Sequence, residues 1–193
     1  MVSSRLAQAL SKCKIVRNDA MFRNTRNVST SILPNVSKQD PSCRVANIGR
    51  NQSGLADAVI QIDGSWHKKS MTGGAAWIMK DEHLQKIYGG CLHANGVSAL
   101  HMEVLGCLHG IKWAITHRFH NVSIYTKSRD LVQLLQGSTP LDITLLWPIQ
   151  EIKYQALLLN WCCVHRVSRS EIHHAHNAAI ACRAGLLSPC SSF

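Results

Sequence analysis

The chain has 193 residues, 46% of them hydrophobic, and no apolar run reaches the roughly 18 residues of a membrane span; this excludes a helical membrane protein and suits one domain plus a tail. Its net charge of +10 is uneven: nine Lys and Arg against Asp19 and Asp40 leave residues 1–56 at +7, and twelve against nine leave the rest at +3. The opening residues MVSSRLAQALSK lack the apolar core of a secretory signal, so the chain is expected in the nucleus or cytoplasm, and its eight cysteines, without a CxxC pair or zinc-finger spacing, read as buried reduced thiols.

Residues 1–54 read as a basic, disordered segment rich in Ser and Asn. Three uses stay open for it: an arm that follows nucleic-acid phosphates, an organelle-targeting peptide, or a linker without function. Order is expected over residues 55–190. Ala58–Asp63 reads as a strand ending at the turn signal Asp63–Gly64–Ser65. Gly73–Lys80 and Leu84–His93 read as two more strands with short links, hence a three-strand antiparallel meander. Ala99–Arg118 places Leu100, Val104, Leu108, Ile111 and Ile115 at helical steps. Val122–Thr126 is a fourth strand, followed by a short helix capped by Ser128. Asp142–Leu157 is a further helix in which Pro148 predicts a kink or a new start. Leu158–His165 is the fifth strand, and Glu171–Leu187 the closing helix. The expected fold is α/β, with a five-stranded mixed sheet (the meander plus parallel crossovers) and helices on both faces.

Four residues stand where ligands gather in such sheets. Asp63 ends the first strand, Glu103 lies in the first turns of the long helix, Lys127 sits on the lip after the fourth strand, and His176 belongs to the last helix.

The motifs carrying these residues resemble a known family. DGS at Asp63–Ser65 followed by GGAAW at Gly73–Trp77, then ALHMEVLGCLHGIKWA, VSIYTKSRDLVQLL and VSRSEIHHAHNAA occur in the order of the RNase H type-1 fold. More narrowly, they are similar to plant RNase H-like domains related to retrotransposon reverse-transcriptase polyproteins. The resemblance spans about residues 57–187. It implies hydrolysis of an RNA–DNA hybrid by two Mg²⁺ ions about 3.5–4 Å apart, held by Asp, Glu, Asp and Asp. Carried over, these positions are Asp63, Glu103, Lys127 and His176, so Asp63 and Glu103 remain as metal ligands while Lys127 and His176 depart from the pattern. A family Asn before the last helix falls on Ile172.

Four carboxylates would give the site a charge of −4; with Lys127 and a neutral His176 it is −1. One ammonium about 4 Å from a divalent ion costs about 8 kcal/mol at an effective dielectric of 20. Strong Mg²⁺ binding is therefore not expected, and an imidazole at His176 would suit Mn²⁺ or Zn²⁺ better. Asp130, three residues beyond Lys127, is the nearest acid to the altered position, and it also suits a helix first turn.

Around this edge, Ser65, Trp66, Lys68, Lys69, Arg129 and Arg169 are the candidate contacts to phosphates and bases. His173, His174, Glu171 and His165 read as a polar helix surface rather than a zinc site. The expected function is an RNase H type-1-like protein that binds RNA–DNA hybrid or RNA, with hydrolysis impaired. The alternatives are an active hybrid endoribonuclease using Mg²⁺ or Mn²⁺, and a retroelement-derived scaffold without catalysis. Oligomeric state is not readable from the chain.

Overall fold

The structure is a computed structural model and describes residues 45–51, 54–81, 86–140 and 142–187. Most of the segment read as disordered (residues 1–44, 52 and 53), and with it the expectations for its use, lies outside the described residues, as do Cys13, Cys43 and Cys190.

The elements run β1 (Val45–Asn47), β2 (Ala58–His67), β3 (Thr72–Asp81), β4 (Lys86–Asn95), α1 (Ala99–Thr116), β5 (Asn121–Thr126), α2 (Arg129–Gln136), α3 (Ile143–Ala156), β6 (Trp161–Arg166) and α4 (His173–Arg183). They form one sheet in the order β1-β6-β5-β2-β3-β4. The meander β2-β3-β4 is antiparallel, β5 lies parallel to both β2 and β6, and β1 closes the edge antiparallel to β6. The sheet thus has six strands where the sequence predicts five. The addition is β1, three residues long and ahead of Leu55, paired from Val45 to His165 and from Asn47 to Cys163. Three residues carry too short an alternation to read as a strand.

Another correction concerns the turn signal. Strand β2 runs through Asp63–Gly64–Ser65 to His67, with Asp63 opposite Ala76 and Ser65 opposite Gly74. A ladder to β3 overrides the local preference of Asp-Gly for a turn, and the chain reverses only at residues 68–71. The helix α3 continues through Pro148 without the new start that the proline also allowed. The closing helix is preceded by a 3₁₀ turn, Arg169–Ile172.

Helices cover both faces. The larger core lies under α1, α2 and α3, with Ile60, Ile62, Ile111, Ile124, Ile152 and Val164 essentially without exposure. A smaller cluster on the other face joins Ala76, Ile78 and Cys91 to Ala175, Ala178, Ala179 and Cys182 of α4. Strand β3 is buried on both faces and reads as a nearly continuous apolar run. Small residues let α4 sit close: a Cβ on Gly74 would lie 2.2 Å from the Ala179 carbonyl oxygen. The five described cysteines are buried and form no disulfide with one another; burial pushes the thiols of Cys162 and Cys163 up to about 12 and about 11, which suits packing rather than reactivity. Among the described residues no helix is long and apolar enough to cross a membrane.

Candidate functional site

Local chemistry places each side chain. Ser98 caps α1 by accepting from the His101 N–H, which starts the helix one turn before Glu103. Along α1 the positions Gly106, Gly110 and Ala114 are small, and they follow Glu103 at helical steps on the face turned to the sheet. Gly64 makes the closest approach. A Cβ there would stand 2.5 Å from the Glu103 nitrogen and 2.6 Å from the Met102 carbonyl carbon. Glycine at this position is what lets α1 lie on β2, and so brings the Glu103 carboxyl to Asp63. Gly64→Ala is therefore expected to cost about 1–3 kcal/mol by overpacking, read as a lower denaturant midpoint at unchanged slope; an unchanged midpoint would mean that α1 is not held so closely.

At the end of β5, Thr126 is fully buried, and its Oγ1 accepts from the Ser128 N–H at 3.0 Å. Ser128 in turn caps α2, accepting from the Leu131 N–H at 3.2 Å, and Gly137 ends that helix in the left-handed region with φ 74°. These bonds hold the one residue between them, Lys127, over the sheet edge.

The four positions picked from sequence do meet. Asp63 has 0% exposure and Glu103 5%. The Lys127 ammonium donates to Asp63 Oδ1 and lies 3.5 Å from Glu103 Oε1. His176 Nδ1 stands 2.6 Å from Asp63 Oδ2. A further member escaped the sequence reading: Thr126 Oγ1 donates to Glu103 Oε2 at 3.5 Å. Its signal was present, because Thr126 alternates inward with Ile124, but a threonine ending a strand is too common to single out. All four carboxylate oxygens of Asp63 and Glu103 thus have partners within the chain.

Electrostatics follow from this packing. Burial, then the nearby Asp63 charge, pushes the Glu103 carboxyl from 4.5 up to about 8, with Lys127 pulling the other way. Because the folded value lies above the unfolded one, the stability that Glu103 contributes is full below about pH 4.5 and is lost as pH rises through about 8. The melting temperature of Glu103→Gln is expected to fall less than that of the parent between pH 5 and 8.5; parallel curves would show that this carboxyl titrates normally.

The metal expected from the resemblance can be tested against these contacts. Mg²⁺ prefers an octahedron of oxygen ligands, yet the point between the two carboxylates is held by an ammonium that donates to Asp63 and lies 3.5 Å from Glu103. Among the described residues no group of three or more His, Cys, Asp or Glu side chains could hold a metal ion. The residues present do not fit a Mg²⁺ pair. Asp130 does not join the site; it is exposed in the first turn of α2 and lines a different pocket with Leu100, Asp142 and Leu145. The His173 ring lies 3.9 Å from that of His174, tilted by 40°, and bonds the Ser170 carbonyl, a polar helix surface.

The candidate contact residues are spread along the same edge. Ser65 and Trp66 lie within β2 and are half-buried; the Trp66 indole N–H donates to the Gly96 carbonyl at 2.7 Å. Lys68 and Lys69 are exposed in the β2–β3 turn, five and six strand residues past Asp63, or about 17 Å and beyond. They are farther from the acidic pair than a turn at Asp63 would put them. Arg129 and Arg169 are exposed just beyond the C-terminal ends of β5 and β6.

Comparison with known proteins places this arrangement. A family model described as reverse transcriptase-like matches residues 61–182. No curated protein matches the chain. Among solved structures, an N-terminal RNase H domain from Mycobacterium tuberculosis is 16% identical, with a TM-score of 0.56, covering 64% of this chain and 95% of that one. RNase H1 of the archaeon Halobacterium salinarum is 13% identical, with a TM-score of 0.57 and the same coverage. LC11-RNase H1 from compost, solved with an RNA/DNA hybrid, is 15% identical with a TM-score of 0.56, covering 68% of this chain and all of that one. These likenesses concern the fold.

Proposed function

The chain belongs to the reverse transcriptase-like family, and from that membership we propose that it is an RNase H-like protein that binds RNA–DNA hybrid or RNA and has lost hydrolysis. The observation that carries this reading is the Lys127 ammonium set between Asp63 and Glu103. A built-in cation there neutralises the acidic pair without offering a Lewis acid or an activated water, and His176 spends a ring nitrogen on Asp63. What remains is a basic edge beside a closed acidic centre. Support for the ligand class comes from the fold, since LC11-RNase H1 is described in complex with an RNA/DNA hybrid.

On this reading Lys68, Lys69, Arg129 and Arg169 contact phosphates, which gives affinity without sequence preference. Trp66 contributes through its ring face, its N–H being engaged. Fluorescence anisotropy on a labelled RNA–DNA hybrid without divalent ions is expected to show binding that weakens steeply with salt. Lys68→Ala/Lys69→Ala should weaken binding equally across sequences and reduce the log–log salt slope by about 1–2. Absence of salt-sensitive binding by the parent chain would remove nucleic acid from its function and leave the scaffold reading.

A further inference from the structure

Helix α3 is apolar on two opposite sides. Leu145, Pro148, Ile149, Ile152 and Ala156 are buried in the domain's own core. The other side carries Ile143, Trp147, Gln150, Tyr154 and Leu157 at alternating steps of four and three, the spacing of a coiled-coil seam. That side faces outward: Ile143 is 84% exposed, Trp147 64%, Tyr154 60% and Leu157 52%. A contiguous exposed patch of large apolar side chains marks an interaction surface.

Charge says what fits it. At the N-terminal end Asp142 and Asp130 line a pocket of about 210 Å³ walled by Leu100, Leu134 and Leu145. Toward the C-terminal end Lys153 is exposed and forms no ion pair among the described residues, whereas Glu151 is already held by Lys112 at 2.9 Å. The stripe therefore ends in an acidic and a basic group of opposite sign, with one polar side chain, Gln150, near its middle.

We propose that this stripe is the interface of a homodimer in which two copies of α3 pack antiparallel. Interdigitating the seam then sets Trp147 against Gln150 of the second copy and Ile143 against its Tyr154, each layer occurring twice about the two-fold axis. Lys153 of each copy comes level with Thr144 of the other, beside Asp142, so opposite charges meet at both ends. A parallel pair would instead bring Lys153 to Lys153 and Asp142 to Asp142, with the helix dipoles aligned. The interface lies on a different element from the Asp63 centre and leaves the basic edge formed by Lys68, Lys69, Arg129 and Arg169 uncommitted.

Sedimentation equilibrium of the full chain across the micromolar range tests this. A reversible monomer–dimer equilibrium is expected. Trp147→Ser should raise its dissociation constant at least tenfold, and Tyr154→Ser should do so as well; both side chains are exposed, so at concentrations where the parent is monomeric each variant should melt like it. Lys153→Glu should weaken the dimer and reverse its salt dependence, since salt would then screen a repulsion. A chain that stays monomeric throughout would overturn the proposal and leave the stripe to a helix of another protein. So would a dimer indifferent to Trp147→Ser and Tyr154→Ser, which must form through another surface.

Discussion

Replacing Lys127 with methionine is expected to destabilise the fold by about 3–5 kcal/mol, the usual cost of breaking a buried ion pair by removing one partner. Methionine keeps most of the apolar stem, so the loss reports the charge rather than the volume. Two carboxylates that are 0% and 5% exposed would then face each other without a cation, and the melting temperature should fall by about 10 °C. Added Mn²⁺ should recover part of that fall in Lys127→Met and should leave the parent unmoved, because an external ion gains access only when the ammonium is gone. A variant that melts with the parent would show that Lys127 is not the counter-ion of this pair. The loss should be larger above about pH 8, where Glu103 has given up the proton that burial favours and the repulsion is at its fullest.

The second large effect concerns activity. Lys127→Asp/His176→Asp returns four carboxylates to the places where the family resemblance sets them. In the presence of Mn²⁺ this double variant is expected to cleave a labelled RNA–DNA hybrid faster than the parent by about a hundredfold or more, since a metal clamp supplies several kcal/mol of transition-state stabilisation. Its thermal midpoint should also rise with Mn²⁺ concentration, a readout of binding that does not depend on turnover. A double variant that neither cleaves nor shifts with Mn²⁺ would place the loss elsewhere, for instance at Ile172, where the family carries Asn.

How far the chain could be read before folding depended on the length of each signal. Helix α1 carries five apolar positions at regular steps and a serine cap, and its start at Ala99 is where the pattern sets it. Helix α2 is short, but Ser128 and Gly137 mark both of its ends. By contrast, Asp63–Gly64–Ser65 looks like a turn because local propensity is all a short window holds; the ladder to Ala76, Ala75 and Gly74 lies nine to thirteen residues away and wins. Pro148 gives a similar lesson. Its ring is tolerated inside α3 because that helix is pinned by burial of Leu145, Ile149 and Ile152 on the core side.

The site was legible in identity more than in geometry. Asp63, Glu103, Lys127 and His176 were found on four separate elements, and they do converge. What sequence could not say is that the Lys127 side chain turns inward to bridge both acids rather than outward to solvent. That direction comes from the Ser128 cap and the Thr126 hydroxyl, which fix the backbone on either side. The outward stripe on α3 is not separable in sequence, because periodicity alone does not tell a second apolar face from a broad buried one.

Incubating the wild-type chain with a labelled RNA–DNA hybrid, once with Mg²⁺ and once with Mn²⁺, tests the proposed loss of hydrolysis most directly. With Lys127 in the cation's place, no product above the protein-free control is expected with either ion. Robust cleavage that disappears in Asp63→Asn would contradict the proposed loss of hydrolysis and make the chain a working hybrid ribonuclease.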